Sequence, residues 1–541
     1  MAQFDWQGAW ESSYFLTWLL SVWEGSLIYR AITAVFRYIG RVGPHSVVGR
    51  IVLSDWPDSE AFSRSLIGRF LLAFNGWVAR PVRRAVPFFL GTWESSLFVR
   101  AGKAVIRWFQ PYFASSFLCQ TAVGYAGDTE LAPAESDQRT VSPLLPLLGA
   151  ALGLIALIPS PGEGQGGLNP TILLVLGVWG VAGLWLLAKV FTGDFSWRAS
   201  SAFVPLLSFL LVAGAATWQS ADRAASMQTF ILWVTAGLAF FLMVNLTRNT
   251  RDVAAFMGPV MVAGVLMALW AMYQFKFPPV VEENWVDPSE GNLVRTFAGM
   301  NNPNYLAEFI ELYTPIVVGL WVQQPKRRWL LTGVIGLLGI ALLLTQSRAG
   351  WAAFAVAACV FILLRTARWS FLLVLAAIAA WIVAPASIKA RVATALDPKH
   401  TSNVYRNNIR VGVLALIQKF WVLGSGLGGK AFTDVYQEFM LSGARAAHAH
   451  NTYLQMWAET GIFGLLTILW SLFTVVRRTL VVGAQKLRSP VVAAVAAAMV
   501  GVLVHAWAEH IWYNPKLLIS FWAVAGLGMG LALGDKEGAK A

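Results

Sequence analysis

The chain has 541 residues, of which 57% are hydrophobic and 13% charged, and its mean hydropathy is +0.59. A soluble domain carries about 25% charged residues, so the composition excludes a water-soluble globular protein and describes a chain largely dissolved in lipid. The net charge of +13 then reads as the cytoplasmic bias of Lys and Arg in a membrane protein rather than as a nucleic-acid footprint.

No secretory signal peptide is expected. Phe15–Trp23 is short, lies between Glu11 and Glu24, and lacks a basic flank and a small-residue cleavage site. Residues 1–140 hold no apolar run of the roughly 20 residues that a span needs. They hold a repeat instead: WEGSLIYRAITAVFRYI (23–39) aligns without gaps on WESSLFVRAGKAVIRWF (93–109). In the first copy Leu27, Ile28, Ala31, Ile32, Val35 and Phe36 share one helical face, and Arg30, Arg37 and Arg41 share the other. That pattern predicts basic amphipathic helices lying on membrane lipids at the cytoplasmic surface. A small helical domain packing the same faces internally is the alternative. Residues 126–140, AGDTELAPAESDQRT, read as a polar linker.

From residue 141 to 541 the pattern predicts an all-α membrane domain of about twelve transmembrane helices. The spans fall near 143–159, 171–191, 201–218, 226–246, 253–275, 304–322, 329–345, 350–364, 369–385, 453–476, 490–510 and 515–534. Alternate connections are basic: Lys189 and Arg198, then Arg248 and Arg251, then Lys326, Arg327 and Arg328, then Arg365 and Arg368, then Arg477, Arg478, Lys486 and Arg488. This set is expected to be cytoplasmic, with both termini, in the inner membrane. The outer connections include 276–303 and the long, partly helical 386–452, which carries LGSGLGGKAF and NNIRVGVLALIQKF. Loops of that length are usually functional.

Polar groups collect on the outer side. Arg295 precedes span six, Arg348 lies between spans seven and eight, His448 and His450 precede span ten, and Glu509 and His510 end span eleven. Asn304, Glu308 and Glu311 share a face of span six, and Asn451, Gln455 and Glu459 share a face of span ten. A carboxylate in a span should face the bundle interior or a wet cavity, so two such faces predict a cavity that opens outward. Each part has a bland reading. Arg348 can anchor a turn, Asn302 and Asn451 can cap helices, and His505 with Glu509 can be a structural pair. His448-x-His450 with Glu459 leaves a metal site, a proton relay and a catalytic base all open. Nothing fixes a tetrahedral ligand set, and there is no His-Glu-x-x-His and no paired cysteine, since Cys119 and Cys359 lie in different segments.

The segments RTFAGMNNPNYLAEF, TQSRAGWAAF and HAHNTYLQMWAETGIFG, in that order, resemble the O-antigen ligase and O-antigen polymerase superfamily of polytopic, metal-independent glycosyltransferases. The resemblance covers roughly residues 143–534 and is strongest over 293–464; residues 1–140 lie outside it. It implies a donor glycan on a polyprenyl (undecaprenyl) diphosphate lipid at the outer leaflet. It also implies that Arg295 and Arg348 contact the donor diphosphate, and that His450 beside Asn451 is the base. The chain departs from the pattern in placing Ala349 between Arg348 and Gly350, and in having a second histidine, His448, as a competing base. Asn304, Glu308, Asn451 and Glu459 are expected to line the substrate cavity. Arginine suits a metal-free diphosphate site because guanidinium binds phosphate oxygens bidentately and stays charged, and neutral imidazole suits proton abstraction from a hydroxyl. No cofactor or nucleotide is expected: GLGGK at 426–430 lacks the Walker spacing. The acceptor stays open among a glycan, a lipid and a protein. So does a reading of another class, a transporter or flippase of lipid-linked glycan; no inverted repeat is visible in the membrane part.

Overall fold

The computed structural model describes most of residues 141–538, leaving out 161–168, 193–195, 280–294, 366–369, 485–488 and several positions between 372 and 398 and at 442; of the first 140 residues it describes only a few between 21 and 73. The second copy of the repeat, the acidic linker and most of the expected ninth span therefore lie outside the described residues; of the first copy, 23–26, 29–31, 33 and 34 are described, and they are largely helical. Within them, Trp23 stands 6.3 Å from the ring of Phe371.

The described chain is helical, and no strand occurs among the described residues. The helices are α1 Leu144–Leu154, α2 Pro170–Thr192, α3 Phe203–Gln219, α4 Arg223–Leu246, α5 Thr250–Lys276, α6 Pro303–Gln323, α7 Arg328–Leu344 and α8 Arg348–Arg365. They continue as α9 Ala386–Ala393, α10 Thr401–Phe420, α11 Gly429–Tyr436, α12 Thr452–Arg477, α13 Pro490–His505 and α14 Pro515–Gly538. Among the described residues eight helices are long and apolar enough to cross a membrane, and α1, α3 and α13 are shorter apolar helices. Apart from the ninth, every expected span is a helix. The protein is a multi-pass, all-α membrane protein.

Two spans form the interior. The apolar stretch of α14 is fully buried and α6 is mostly buried, whereas α2, α7 and α8 turn most of their surface outward. Lipid is as apolar as a leucine side chain, so helices in it associate by close packing rather than by hydrophobic exclusion. The sequences provide that: α13 is PVVAAVAAAMVGVLVH, and it packs on both α6 and α8. Along the α4–α14 contact a Cβ on Gly526 would stand 2.4 Å from the Phe240 carbonyl oxygen, so only glycine lets these backbones meet. At one end Arg198 ties α4 to α14, donating to the carbonyls of Val244 (2.9 Å), Thr247 (2.6 Å) and Gly530 (2.9 Å).

Three departures from the expected spans shape the other end. First, α13 stops at His505, and residues 506–514 are turns, so Glu509 and His510 lie in a connection and not in a span. The apolar residues of HAWAEHIW (505–512) extend the hydropathy run beyond the helix. Second, α12 is broken at Gly461, whose φ of 67° and ψ of −173° are non-helical. Third, the glycine-rich segment 421–428 docks on that break: Ile462 N–H donates to the Trp421 carbonyl (2.8 Å), and the N–H groups of Ser425 and Gly426 donate to the carbonyls of Ala458 (2.8 Å) and Glu459 (3.2 Å). Backbone groups freed inside a membrane protein need such internal partners. The long loop is thus partly helical, with α9, α10 and α11 lying over this end.

Candidate active site

The site is built around Glu509, in the connection after α13. Thr452, at the start of α12, locks that connection: its N–H donates to the Ala506 carbonyl (2.8 Å) and its hydroxyl to the Glu509 carbonyl (3.0 Å). The two carboxylate oxygens face different partners. Oε1 accepts from His450 Nδ1 at 2.9 Å and from the His510 backbone N–H at 3.1 Å, and lies 3.5 Å from His448 Nδ1. Oε2 accepts from Asn304 Nδ2 at 2.8 Å and lies 3.6 Å from the Arg406 guanidinium. One oxygen therefore serves a histidine side and the other an arginine side. Burial alone would raise the pKa of Glu509, but the histidine pair, the His450 hydrogen bond and the Arg406 guanidinium beside it outweigh burial and hold it well below the usual carboxylate range.

His450 has φ of 47°, an uncommon conformation for a non-glycine residue. Its Nδ1 faces the carboxylate, so in the tautomer that donates Nδ1–H there the lone pair is on Nε2, and the side chain is 24% exposed. His448 is more buried, and its Nδ1 accepts the His450 backbone N–H (3.2 Å). Burial lowers its pKa to about 4, with Glu509 acting in the opposite direction, so it is neutral at neutral pH. His510 is buried, which holds it well below the usual histidine range.

The arginines come from three elements. Arg295 lies in the turn before α6, where its Nη2 donates to Asn304 Oδ1 (3.1 Å) and its Nε to the Thr345 carbonyl (3.2 Å). Burial lowers its pKa to about 10, and the Arg406 and Arg348 charges add to that effect, so the three guanidinium groups share one electrostatic neighbourhood. Arg348, at the start of α8, donates to Thr394 Oγ1 (2.9 Å) and Ser402 Oγ (2.8 Å), which hold the long loop against it. Arg406 follows Ser402 by one turn of α10. Sequence reasoning missed Arg406, and it offered Glu509 only as a structural partner of His505 or a further metal ligand.

Four expected site residues take other or additional bonds. Asn451 caps α12 by accepting the Leu454 N–H (2.9 Å), and its amide donates to the Trp507 carbonyl (3.0 Å). Asn304 bridges Arg295 and Glu509. Glu459 is buried and bonded to Gln455 Nε2 (2.6 Å) and the Gly428 N–H (2.9 Å), on the glycine-rich segment rather than on the histidine pair. Glu308 is buried one turn below Asn304, and its carboxyl oxygens have no hydrogen-bond partner among the described residues. His505 pairs with Glu311 at 3.0 Å and not with Glu509.

One group of metal-ligand type occurs among the described residues: one atom each of His448, His450 and Glu509, all within 4.8 Å of one another. Its chemistry suits a cation poorly. His448 Nδ1 already accepts a backbone N–H, and Arg406 stands beside the same carboxylate.

Residues 316–469 match the family model for O-antigen ligase. The match supports placing the chain in the O-antigen ligase and polymerase superfamily, a family of glycosyltransferase-type membrane enzymes. It spans α6 from Ile316 through α12, and so includes Arg348, Arg406, His448 and His450 of the site; Arg295, Asn304 and Glu509 lie outside it. No curated protein matches the chain.

Proposed function

We propose that the protein is a metal-independent, inverting glycosyltransferase. It transfers a glycan from a polyprenyl-diphosphate lipid to an acceptor hydroxyl at the outer face of the inner membrane. The observation that carries this reading is the 2.9 Å bond from His450 Nδ1 to Glu509, with Arg406 3.6 Å from the same carboxylate and Arg295 joined to it through Asn304. His450 Nε2 takes the acceptor proton as the acceptor oxygen attacks the anomeric carbon. The bond from that carbon to the diphosphate oxygen breaks on the opposite side, and its electron pair leaves with the polyprenyl diphosphate. Arg295, Arg348 and Arg406 hold the diphosphate and offset the charge that develops on it. Glu509 fixes the imidazole tautomer and stabilises the imidazolium, which then loses its proton to water. His448, through the His450 backbone N–H, sets the conformation of the base.

The test is transfer in reconstituted vesicles with a purified lipid-linked oligosaccharide. His450→Ala is expected to lose transfer, by about 10²-fold or more, while still binding donor. Full transfer by that variant would falsify the base assignment. Movement of donor across the vesicle with no new glycosidic bond would refute the transferase reading in favour of a transporter.

A further inference from the structure

A groove of about 340 Å³ opens beside the site, lined by Tyr453, Leu454, Trp457 and Leu465 of α12, Trp507 of the connection after α13, and Arg410 of α10. Three routes join it to the base and its carboxylate. Asn451, also in its wall, follows His450 in the chain. Trp507 precedes Glu509 by two residues, and its carbonyl accepts the Asn451 amide. Arg410 follows Arg406, the Glu509 neighbour, by one helical turn. The groove therefore reaches the site next to the histidine rather than next to Arg295, which lies beyond Asn304 on the other carboxylate oxygen.

Its chemistry is specific. Tyr453 and Trp507 stand ring to ring at 5.1 Å, and Trp507 is 67% exposed. The hydrogen-bonding atoms of two of the rings are committed to backbone: the Tyr453 hydroxyl to the Leu503 carbonyl (2.8 Å) and the Trp457 indole N–H to the Trp421 carbonyl (3.1 Å). Those rings thus offer faces, not polar edges, and aromatic faces take the C–H faces of pyranose rings. Arg410 is exposed and makes no hydrogen bond or ion pair with a described residue. A groove of this size with aromatic walls and one free charged donor is a small-ligand site.

We propose that this groove is the acceptor subsite, and that it takes a sugar ring carrying a carboxylate or phosphate. The ring packs on Trp507 and Trp457, the anionic group pairs with Arg410, and the hydroxyl to be glycosylated points along Asn451 toward His450. The acceptor role rests on the transferase reading; sugar binding in the groove does not.

Saturation-transfer NMR on the full chain in nanodiscs, without donor, reads this directly. Methyl hexopyranoside and methyl hexuronide serve as probes. The uronide is expected to give a signal several-fold stronger than the neutral sugar. Trp507→Ala and the groove-filling Leu465→Trp are expected to reduce both signals at least fivefold, and Arg410→Ala to bring the uronide down to the neutral level. Trp507 is exposed, so its loss spares the core. Signals that both groove variants leave unchanged overturn the site, and equal wild-type signals overturn the anionic preference. Displacement of both sugars by polyprenyl diphosphate would make this the donor's groove and overturn the acceptor assignment. Because binding needs no turnover, a silent transfer assay with intact sugar binding would count against the transferase reading alone.

Discussion

Replacing Glu509 with Gln isolates the role of its charge. The amide keeps the size of the carboxyl and leaves the Thr452 bond to the residue 509 carbonyl intact. It removes the anion that His450 Nδ1 meets at 2.9 Å and that Asn304 and Arg406 approach at 2.8 and 3.6 Å. In the transition state His450 becomes an imidazolium, so the lost interaction is a charge–charge hydrogen bond to a buried carboxylate. Bonds to charged groups are worth about 1.5–3 kcal/mol, and the wrong tautomer adds to the loss by turning the Nε2 lone pair into a donor. We expect kcat to fall by about 10²–10³, which corresponds to roughly 2.7–4 kcal/mol of barrier. Donor KM should change by less than about fivefold, because the arginines that hold the diphosphate remain. Glu509→Asp should recover part of kcat. The assay is steady-state transfer with donor and acceptor varied separately, on protein whose folding is checked by its thermal transition. A Gln variant within threefold of wild-type kcat would refute the claim that Glu509 orients and charges the base.

Other expectations follow from the same geometry. Arg295→Ala, Arg348→Ala and Arg406→Ala should each raise donor KM by about tenfold to 10²-fold, the range for one lost charge-assisted contact; unchanged donor KM in all three would remove the clamp. EDTA should leave turnover intact, and loss of activity restored by a divalent cation would assign the His448, His450 and Glu509 group to metal. Buried neutral His448, with a pKa lowered to about 4, contributes stability that is present above the unfolded value of about 6.5 and is lost as pH falls toward 4. By pH 5 the loss is about 2 kcal/mol. Thermal stability should therefore drop between pH 7 and 5 in the wild type and drop less in His448→Asn; equal drops would show that His448 does not carry the effect.

The spans were legible because a membrane helix announces itself by length and hydropathy, and the alternation of basic loops sorted Arg295, Arg348, His448 and His450 to one side. The structure brings these residues to one end of the bundle, opposite Arg198. The hub was harder to read. Glu509 and His450 are 59 residues apart, and only the docking of the α12 start on the turns after α13 joins them. A carboxylate within HAWAEHIWYNP was the available signal, but its nearest sequence partner, His505, is taken by Glu311. Arg406 looks in sequence like any arginine on a surface helix; only the packing of α10 over the site distinguishes it. Glu459 shows the opposite case. It shares a helical face with Asn451, but the break at Gly461 admits the glycine-rich segment, which takes its carboxylate.

Backbone strain gives an independent view of where this fold does its work. Among the described residues, the non-glycine residues with positive φ are Ala298, Asn301, Gln346 and His450. All four lie within six residues of Arg295, within two of Arg348, or at the base itself. Such conformations cost on the order of 1 kcal/mol or more each and persist only where surrounding contacts over-determine them. The contacts are present. Gln274 Oε1 accepts the N–H groups of Phe297 (3.0 Å) and Ala298 (2.8 Å), and Lys516 Nζ donates to the Gly299 carbonyl (3.1 Å). Asn301 bonds the Ser160 carbonyl (2.8 Å), Thr296 N–H bonds the Leu344 carbonyl (3.2 Å), and Gln455 Oε1 accepts the Ala449 N–H (2.6 Å) beside His450. Apart from Ser160, the partners come from α5, α7, α12 and α14 of the bundle. In the proposed reading the site must orient a base and several guanidinium groups, and this needs a geometry fixed before substrate arrives. The membrane helices provide that rigidity, and the strained turns spend it in aiming the side chains.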